Sequence, residues 1–329
     1  PISGLVVGSS DIRSLPAASE ERRAYEAITT GFEDLGVEPV TVLIETGIDD
    51  ARVPALLDDI AALPEVADAR AVPDLAEEAT VVEFTPVGDA TGEAAQSLVQ
   101  QIRALAAASG LPSGVTGAAA DVIDTRDHLL ERLPLALAAI AVATFALLFA
   151  LTRSVVVPLK AILLNALTIA ATLGVLVAVF QWGWAGALLG IADPGPLDVT
   201  TPLLIGLLAF GLSMDYEVFL LARIREEWTR RDRAMPPRAA NDRAVLRGVT
   251  ATGPVVTTAA AAIVIVFLGF AISDVLALKE VGIGMAVAII LDVTIVRGLL
   301  LPATMTLLGR ANWWRPGRSA RRGSPASAR

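Results

Sequence analysis

Residues 211–228 read GLSMDYEVFLLARIREEW. They place an acid and a phenol, Asp215 and Tyr216, inside an apolar run over residues 199–221. About 20 such residues cross the hydrocarbon core of a bilayer as a helix. A carboxylate at the centre of a membrane helix costs about 2.5–3.5 kcal/mol on insertion scales, so an intramembrane Asp signals proton or ion handling. The charge that follows Leu221 marks the exit from the apolar layer.

Outward from this stretch, four more apolar runs predict spans near residues 133–151, 155–180, 252–272 and 281–301, giving five in all. Asp215 shares a helical face with Gly211 and Phe219, and a neighbouring helix can come close at the glycine, so Asp215 is expected to be buried. The last span carries Asp292 and Arg297. Gly284 and Ala288 step by fours to Asp292, a small-residue face that ends in an acid. Five residues apart on an α-helix, Asp292 and Arg297 point about 140° from each other, so a direct pair needs the long Arg to reach round. The alternatives are that Asp292 answers to another helix and that Arg297 snorkels to the surface. Asn165, Thr168, Thr257 and Thr258 are expected to bond between helices.

The connections set an orientation. Arg153 and Lys160 are assigned to the first connection, eight arginines from Arg223 to Arg247 crowd the third, and Arg310 to Arg322 fill the tail. By the positive-inside rule these regions are cytoplasmic. A basic amphipathic helix is expected at about residues 238–250 within a cytoplasmic loop, 222–250, in contact with anionic lipids. Trp182 and Trp184 at one interface and Trp313 and Trp314 at the other read as aromatic belts. Residues 310–329 read as a basic cytoplasmic tail.

Composition agrees with this division. Of 329 residues, 54% are hydrophobic and only 5% aromatic, the balance of a membrane protein with a soluble part. Residues 1–132 hold 24 acidic and 8 basic side chains, while 133–329 hold 11 and 18. The first part reads as an acidic extracytoplasmic domain and 133–309 as the helical bundle. With no cysteine and one histidine, His128, thiolate chemistry is excluded and zinc has little to bind. Neither lysine, Lys160 or Lys279, follows a phosphate-binding glycine loop, so an ion gradient rather than ATP is the expected energy source, with no cofactor and no nucleic-acid partner. Residue 1 is proline, and the chain reads as a fragment.

Within 1–132, a helix over residues 19–35 is predicted, with Ser19 as N-cap and Gly36 beyond its end. Strand signals at 40–45, 66–72, 80–85 and 114–118 alternate with helices at 50–63 and 93–109, with a Pro-Asp turn after 72. The order βαββαβ is the split βαβ, ferredoxin-like arrangement.

The strings GLSMDYEVFLLARIREE and LDVTIVRGLLLPATMTLLGRANWW resemble the C-terminal half of an MMPL (mycobacterial membrane protein large) transporter, of the resistance-nodulation-division superfamily. SSDIRSLPAASEERRAYEAI is similar to the start of that family's second periplasmic domain, and TATGPVVTTAAAAIVIVF to its eleventh membrane helix. The resemblance implies a porter-type α/β periplasmic domain, then membrane helices eight to twelve. It implies proton-driven export of lipids, glycolipids or drugs across the bacterial cytoplasmic membrane. Asp215 and Tyr216 would occupy the tenth-helix positions of a proton relay shared with the other half, and Asp292 and Arg297 the polar pair of the twelfth. Two other readings stand beside this one. A protein-export or sterol-sensing relative of the superfamily would share the Asp215 helix, and two intramembrane aspartates would suit an aspartyl protease, whose carboxyls share a proton.

Overall fold

The computed structural model describes residues 4, 7–8, 15, 19–31, 37–72, 79–184, 186–189, 197–232 and 234–314. The first described strand is β1 (Val7–Gly8) and the first described α-helix is α1 (Glu20–Gly31). Ser19 Oγ accepts the Arg22 N–H at 3.1 Å, which satisfies one free donor at the start of α1. Residues 32–36, the Pro-Asp turn at 73–74, residues 193–196 and the tail from 315 on lie outside the described residues.

Then follow β2 (Val40–Ile44), α2 (Arg52–Ala61), β3 (Val66–Ala71), β4 (Thr80–Pro86), α3 (Glu93–Ser109) and β5 (Ser113–Thr116). The four strands form one sheet in the order β3-β4-β2-β5, every neighbour antiparallel. Alternation decides which face is covered: Val40, Val42, Ile44, Val82 and Phe84 are buried, whereas Leu43 of the same β2 is exposed. The covered face meets Val53, Leu56 and Ile60 of α2 and Leu98, Val99 and Ile102 of α3, each set at helical spacing.

The turn out of β5 depends on Gly117. Its φ is 123°, and a Cβ there would lie 2.7 Å from the Pro39 carbonyl oxygen. The helix that follows, α4 (Ala118–Thr152), runs without a break through residue 132 and past Pro134. The first predicted span is therefore the distal part of a 35-residue helix, about 52 Å long at 1.5 Å per residue. Pro134 removes one backbone donor, and the flanking hydrogen bonds hold the helix together. Ala119, Ala120 and Ile123 of α4 belong to the core of the sheet domain. Asp124 accepts two bonds from Arg103 of α3, at 2.6 and 2.8 Å. One helix thus carries the sheet domain on its end.

Next are α5 (Val156–Leu176), continued by a π-helical turn (Val177–Gln181), then α6 (Gly186–Leu189), β6 (Leu197–Asp198) and α7 (Thr200–Thr229). β6 pairs in parallel with β1, tying the chain's start to the approach to α7. Helix α8 (Pro237–Ala271) merges the expected amphipathic helix and the fourth span into one piece, with Pro254 inside it. Few residues therefore separate α7 from α8, and most arginines assigned to that loop ride on the helices. The final rod is α9 (Leu276–Leu291), a π-helix (Asp292–Leu300), α10 (Leu301–Leu308) and a 3-10 turn (Gly309–Trp313). Among the described residues, five helices are long and apolar enough to cross a membrane: Ala118–Thr152, Val156–Gln181, Thr200–Thr229, Pro237–Ala271 and Leu276–Trp313.

Candidate functional site

α5, α7 and the final rod meet along buried apolar layers, one containing Leu164, Met214, Leu221 and Val296, another Leu176, Ile205 and Ile289. Between these layers lies a group of polar side chains. The inward face of α7 is set by helical spacing and presents Ser213 and Glu217 among Ala209, Leu220 and Ile224. α5 contributes Lys160 and Asn165, and the final rod contributes Asp292 and Arg297. All six are 8% exposed or less.

Arg297 Nε donates to Asp292 Oδ2 at 2.6 Å. Arg297 Nη2 donates to Ser213 Oγ at 2.9 Å and to the Ser213 carbonyl oxygen. Ser213 Oγ is also 2.9 Å from Asp292 Oδ1 and 2.5 Å from Asn165 Oδ1. Asn165 Nδ2 donates to Glu217 Oε2 at 3.1 Å and to Met214 Sδ at 3.3 Å. Lys160 and Arg297 are near enough for their charges to act on Glu217. Lys160 Nζ, Glu217 Oε1 and Arg297 Nη1 make no hydrogen bond among the described residues.

The α-helical expectation for Asp292 and Arg297 is corrected by the local backbone. Both lie in the π-helix Asp292–Leu300, where hydrogen bonds run from i to i+5 and residues five apart come over one another. Arg297 needs no detour, and it does not snorkel, being 5% exposed. Asp292 bonds both its own helix, through Arg297, and α7, through Ser213.

Asp215 is placed differently from the expectation of burial: it is exposed on α7, as is Phe219. The reason is periodicity. Two residues from Ser213 and two from Glu217, Asp215 is turned about 200° from the inward face. Gly211 is exposed too, and a Cβ built there meets nothing within 4 Å, so no described helix approaches at that glycine. Gly284 does sit at a close approach, where a Cβ would lie 2.5 Å from Ile205 Cδ1 of α7, and Ala288 is buried. Tyr216 is half-buried, with the Arg297 guanidinium carbon 5.7 Å from its ring centroid. A small crevice is lined by Tyr216, Ser213, Asp292, Leu212 and Ile289, so the phenol and the buried acid share one opening. The two aspartates are not brought together as a carboxyl dyad: Asp292 is engaged by Arg297 and Ser213 while Asp215 points away.

Glu217 and Lys160 are site members that the sequence reading missed. Glu217 lies four residues after Ser213 in a predicted span, a signal that was present, and Lys160 belongs to α5 rather than to a connection. Of the expected interhelical groups, Asn165 bridges α5 and α7, whereas Thr168 and Thr258 return their hydroxyls to their own helices, at Leu164 O and Pro254 O. Trp313 stacks on Trp228 at 4.9 Å and donates to Asn241 Oδ1, so its role is packing, while Trp314, Trp182 and Trp184 remain exposed.

A model of the MMPL family matches residues 37–327. The chain belongs to the MMPL family. It is similar to a membrane protein of Streptomyces coelicolor, 40% identical over 96% of this chain and 43% of the relative. It is also similar to the mycolic acid-containing lipids exporter MmpL11 of Mycolicibacterium smegmatis, 33% identical over 96% of this chain and 34% of the relative. A third relative is the trehalose monomycolate exporter MmpL3 of Mycobacterium tuberculosis, 32% identical over 98% of this chain and 35% of the relative. The chain spans between about a third and just over two fifths of the length of these curated relatives. With five membrane-length helices among the described residues, this MMPL chain is a multi-pass membrane protein.

Proposed function

We propose that the chain is the C-terminal half of a secondary active exporter, driven by the proton-motive force, that moves lipids, glycolipids or hydrophobic drugs across the bacterial cytoplasmic membrane. The observation that carries this reading is the ion pair Asp292–Arg297, 2.6 Å apart and buried among membrane-length helices with Ser213, in the crevice that Tyr216 lines. Charges so placed are costly, and their retention suits a proton path better than packing alone. Two relatives named as lipid exporters support the cargo class.

In this reading Asp215 and Tyr216 face the N-terminal half of the transporter, which fits the outward direction of Asp215 in this chain. Gain and loss of a proton at Asp215 alters contacts across that junction, and Asp292–Arg297 carries the change into the bundle. The sheet domain, of ferredoxin-like porter type, stands outside the cell with residues 1–132, and the arginine-rich ends of α7 and α8 and the C-terminus face the cytoplasm. The long α4, rooted in the sheet domain, transmits movement from bundle to porter. A potential of 100 mV supplies about 2.3 kcal/mol per charge moved, so transfer of a lipid headgroup needs several protons or an added pH difference.

The test is export of labelled lipid by the complete transporter carrying Asp215→Asn. Loss of export at an unchanged membrane level is expected, and retained export removes Asp215 from the relay.

A further inference from the structure

In the buried network one hydroxyl proton faces two oxygens. Ser213 Oγ lies 2.5 Å from Asn165 Oδ1 and 2.9 Å from Asp292 Oδ1, and it accepts the Arg297 Nη2 proton at 2.9 Å. A serine carries a single O–H. With Glu217 and Asp292 both ionised, one of the two oxygen–oxygen approaches holds no hydrogen, and lone pairs face each other in a site without water's dielectric. Turning the Asn165 amide by half a turn exchanges its oxygen and nitrogen. Nδ2 then donates to Ser213 and the hydroxyl donates to Asp292. The amide oxygen now faces Glu217 Oε2, 3.1 Å away, again with no hydrogen between them. Both orientations are one proton short, and in each a single proton on one carboxyl completes the run of contacts from Glu217 through Asn165 and Ser213 to Asp292; the turned amide gives up its bond to Met214 Sδ.

We infer that Glu217 and Asp292 share one proton through Asn165 and Ser213, which makes Glu217 a second protonation site of the bundle. In one state Asp292 Oδ1–H donates to Ser213, Ser213 to Asn165 Oδ1, and Asn165 Nδ2 to ionised Glu217. In the other, Glu217 Oε2–H donates to Asn165 Oδ1, Asn165 Nδ2 to Ser213, and Ser213 to ionised Asp292. In the passage the Asp292 proton goes to Ser213 as the Ser213 proton goes to Asn165 Oδ1, and the amide, turning, delivers it to Glu217. One carboxyl O–H is lost and the other gained, the total charge is constant, and Asn165 Nδ2 exchanges its Glu217 and Met214 contacts for Ser213. The groups that face Glu217 are Lys160 and Asn165 from α5 and Asp292 and Arg297 from the final rod. The proton's position therefore decides whether the neutral carboxyl sits on α7 or on the final rod, with α5 bonded between them. Its use in transport rests on the proton-coupled reading above; the sharing itself does not.

The test is infrared spectroscopy of the chain in lipid vesicles, read at the protonated-carboxyl C=O stretch. Glu217→Gln supplies a permanent donor to Asn165 and leaves Asp292 ionised. Asp292→Asn supplies a permanent donor to Ser213 and leaves Glu217 ionised. Each variant is expected to lose one carboxyl's worth of signal, and the double variant no more than either alone. Losses that add in the double variant, or a loss in only one variant or in neither, overturn the inference. Should either variant fail to fold by circular dichroism, Ser213→Ala keeps both acids and removes the hydrogen-short contact. It is expected to lose the same single signal, and an unchanged band there also overturns the inference. Export retained by Asp215→Asn, together with the non-additive infrared loss, would remove the relay reading and leave this inference in place.

Discussion

Replacing Arg297 by Met keeps an unbranched side chain in the bundle and removes its charge. Arg297 and Asp292 approach to 2.6 Å with side chains 5% and 6% exposed. Two unit charges about 4 Å apart attract by about 4 kcal/mol at an effective dielectric near 20. Removing one partner of a buried pair typically costs about 3–5 kcal/mol, because the other charge stays behind uncompensated. Arg297→Met should therefore destabilise the chain by about 3–5 kcal/mol. Adding Asp292→Asn to it removes the stranded carboxylate, and the double variant should recover most of the loss. Equilibrium unfolding in detergent, followed by the tryptophans, among them the stacked Trp228 and Trp313, measures both. A coupling energy from the double-mutant cycle then isolates the pair. A cost below about 1 kcal/mol for Arg297→Met, or a double variant as damaged as the sum of the singles, would refute a buried, mutually compensated pair.

Three further outcomes follow from packing and charge elsewhere in the structure. Gly282→Ala should destabilise by about 1–3 kcal/mol or more in the same unfolding assay, since its Cβ would lie 2.5 Å from Ala271 N and 2.7 Å from Phe267 O, backbone atoms that do not yield. Gly211→Ala, with nothing within 4 Å, should instead gain up to about 1 kcal/mol from helix propensity. In the sheet domain, hydrogen bonds from Arg52 hold the Asp50 carboxyl at about 2, below its ordinary 3.8. That small contribution is complete above the ordinary value and disappears as pH falls through about 2. Carboxyl NMR titration should show the low midpoint in the unaltered chain and a return to the ordinary range in Arg52→Gln.

The sheet domain was legible because its signals are local. Alternation in residues 40–44 and 80–86 and helical spacing in 93–109 each state a period, whereas Gly117, inside the strand expected at 114–118, is the turn into α4. Span positions were legible from apolar length, but continuity was not. Pro134 and Pro254 lie near the starts of the predicted spans, and each costs a single backbone bond that a long packed helix absorbs. The orientation of α7 is fixed by the 3.6-residue set of Ser213, Glu217 and Ile224, which forms the inward face and turns Asp215 away from it. The π-helix has no propensity signature. Its trace in the sequence is the Asp292–Arg297 spacing itself, two opposite charges in an apolar span that an ordinary α-helix would keep apart. Asn165 was picked out as a bridge, whereas the threonines were not separable from it by sequence, because a hydroxyl in a membrane helix satisfies itself on its own backbone as readily as across an interface.

The central claim is that protons move through this bundle as cargo is exported. It is tested most directly in proteoliposomes holding the complete transporter, with a pH-sensitive dye inside and lipid cargo present. Cargo-dependent proton flux is expected in the unaltered protein, with Asp215→Asn and Asp292→Asn each reducing it to background. Flux at the unaltered rate in both variants would contradict the account.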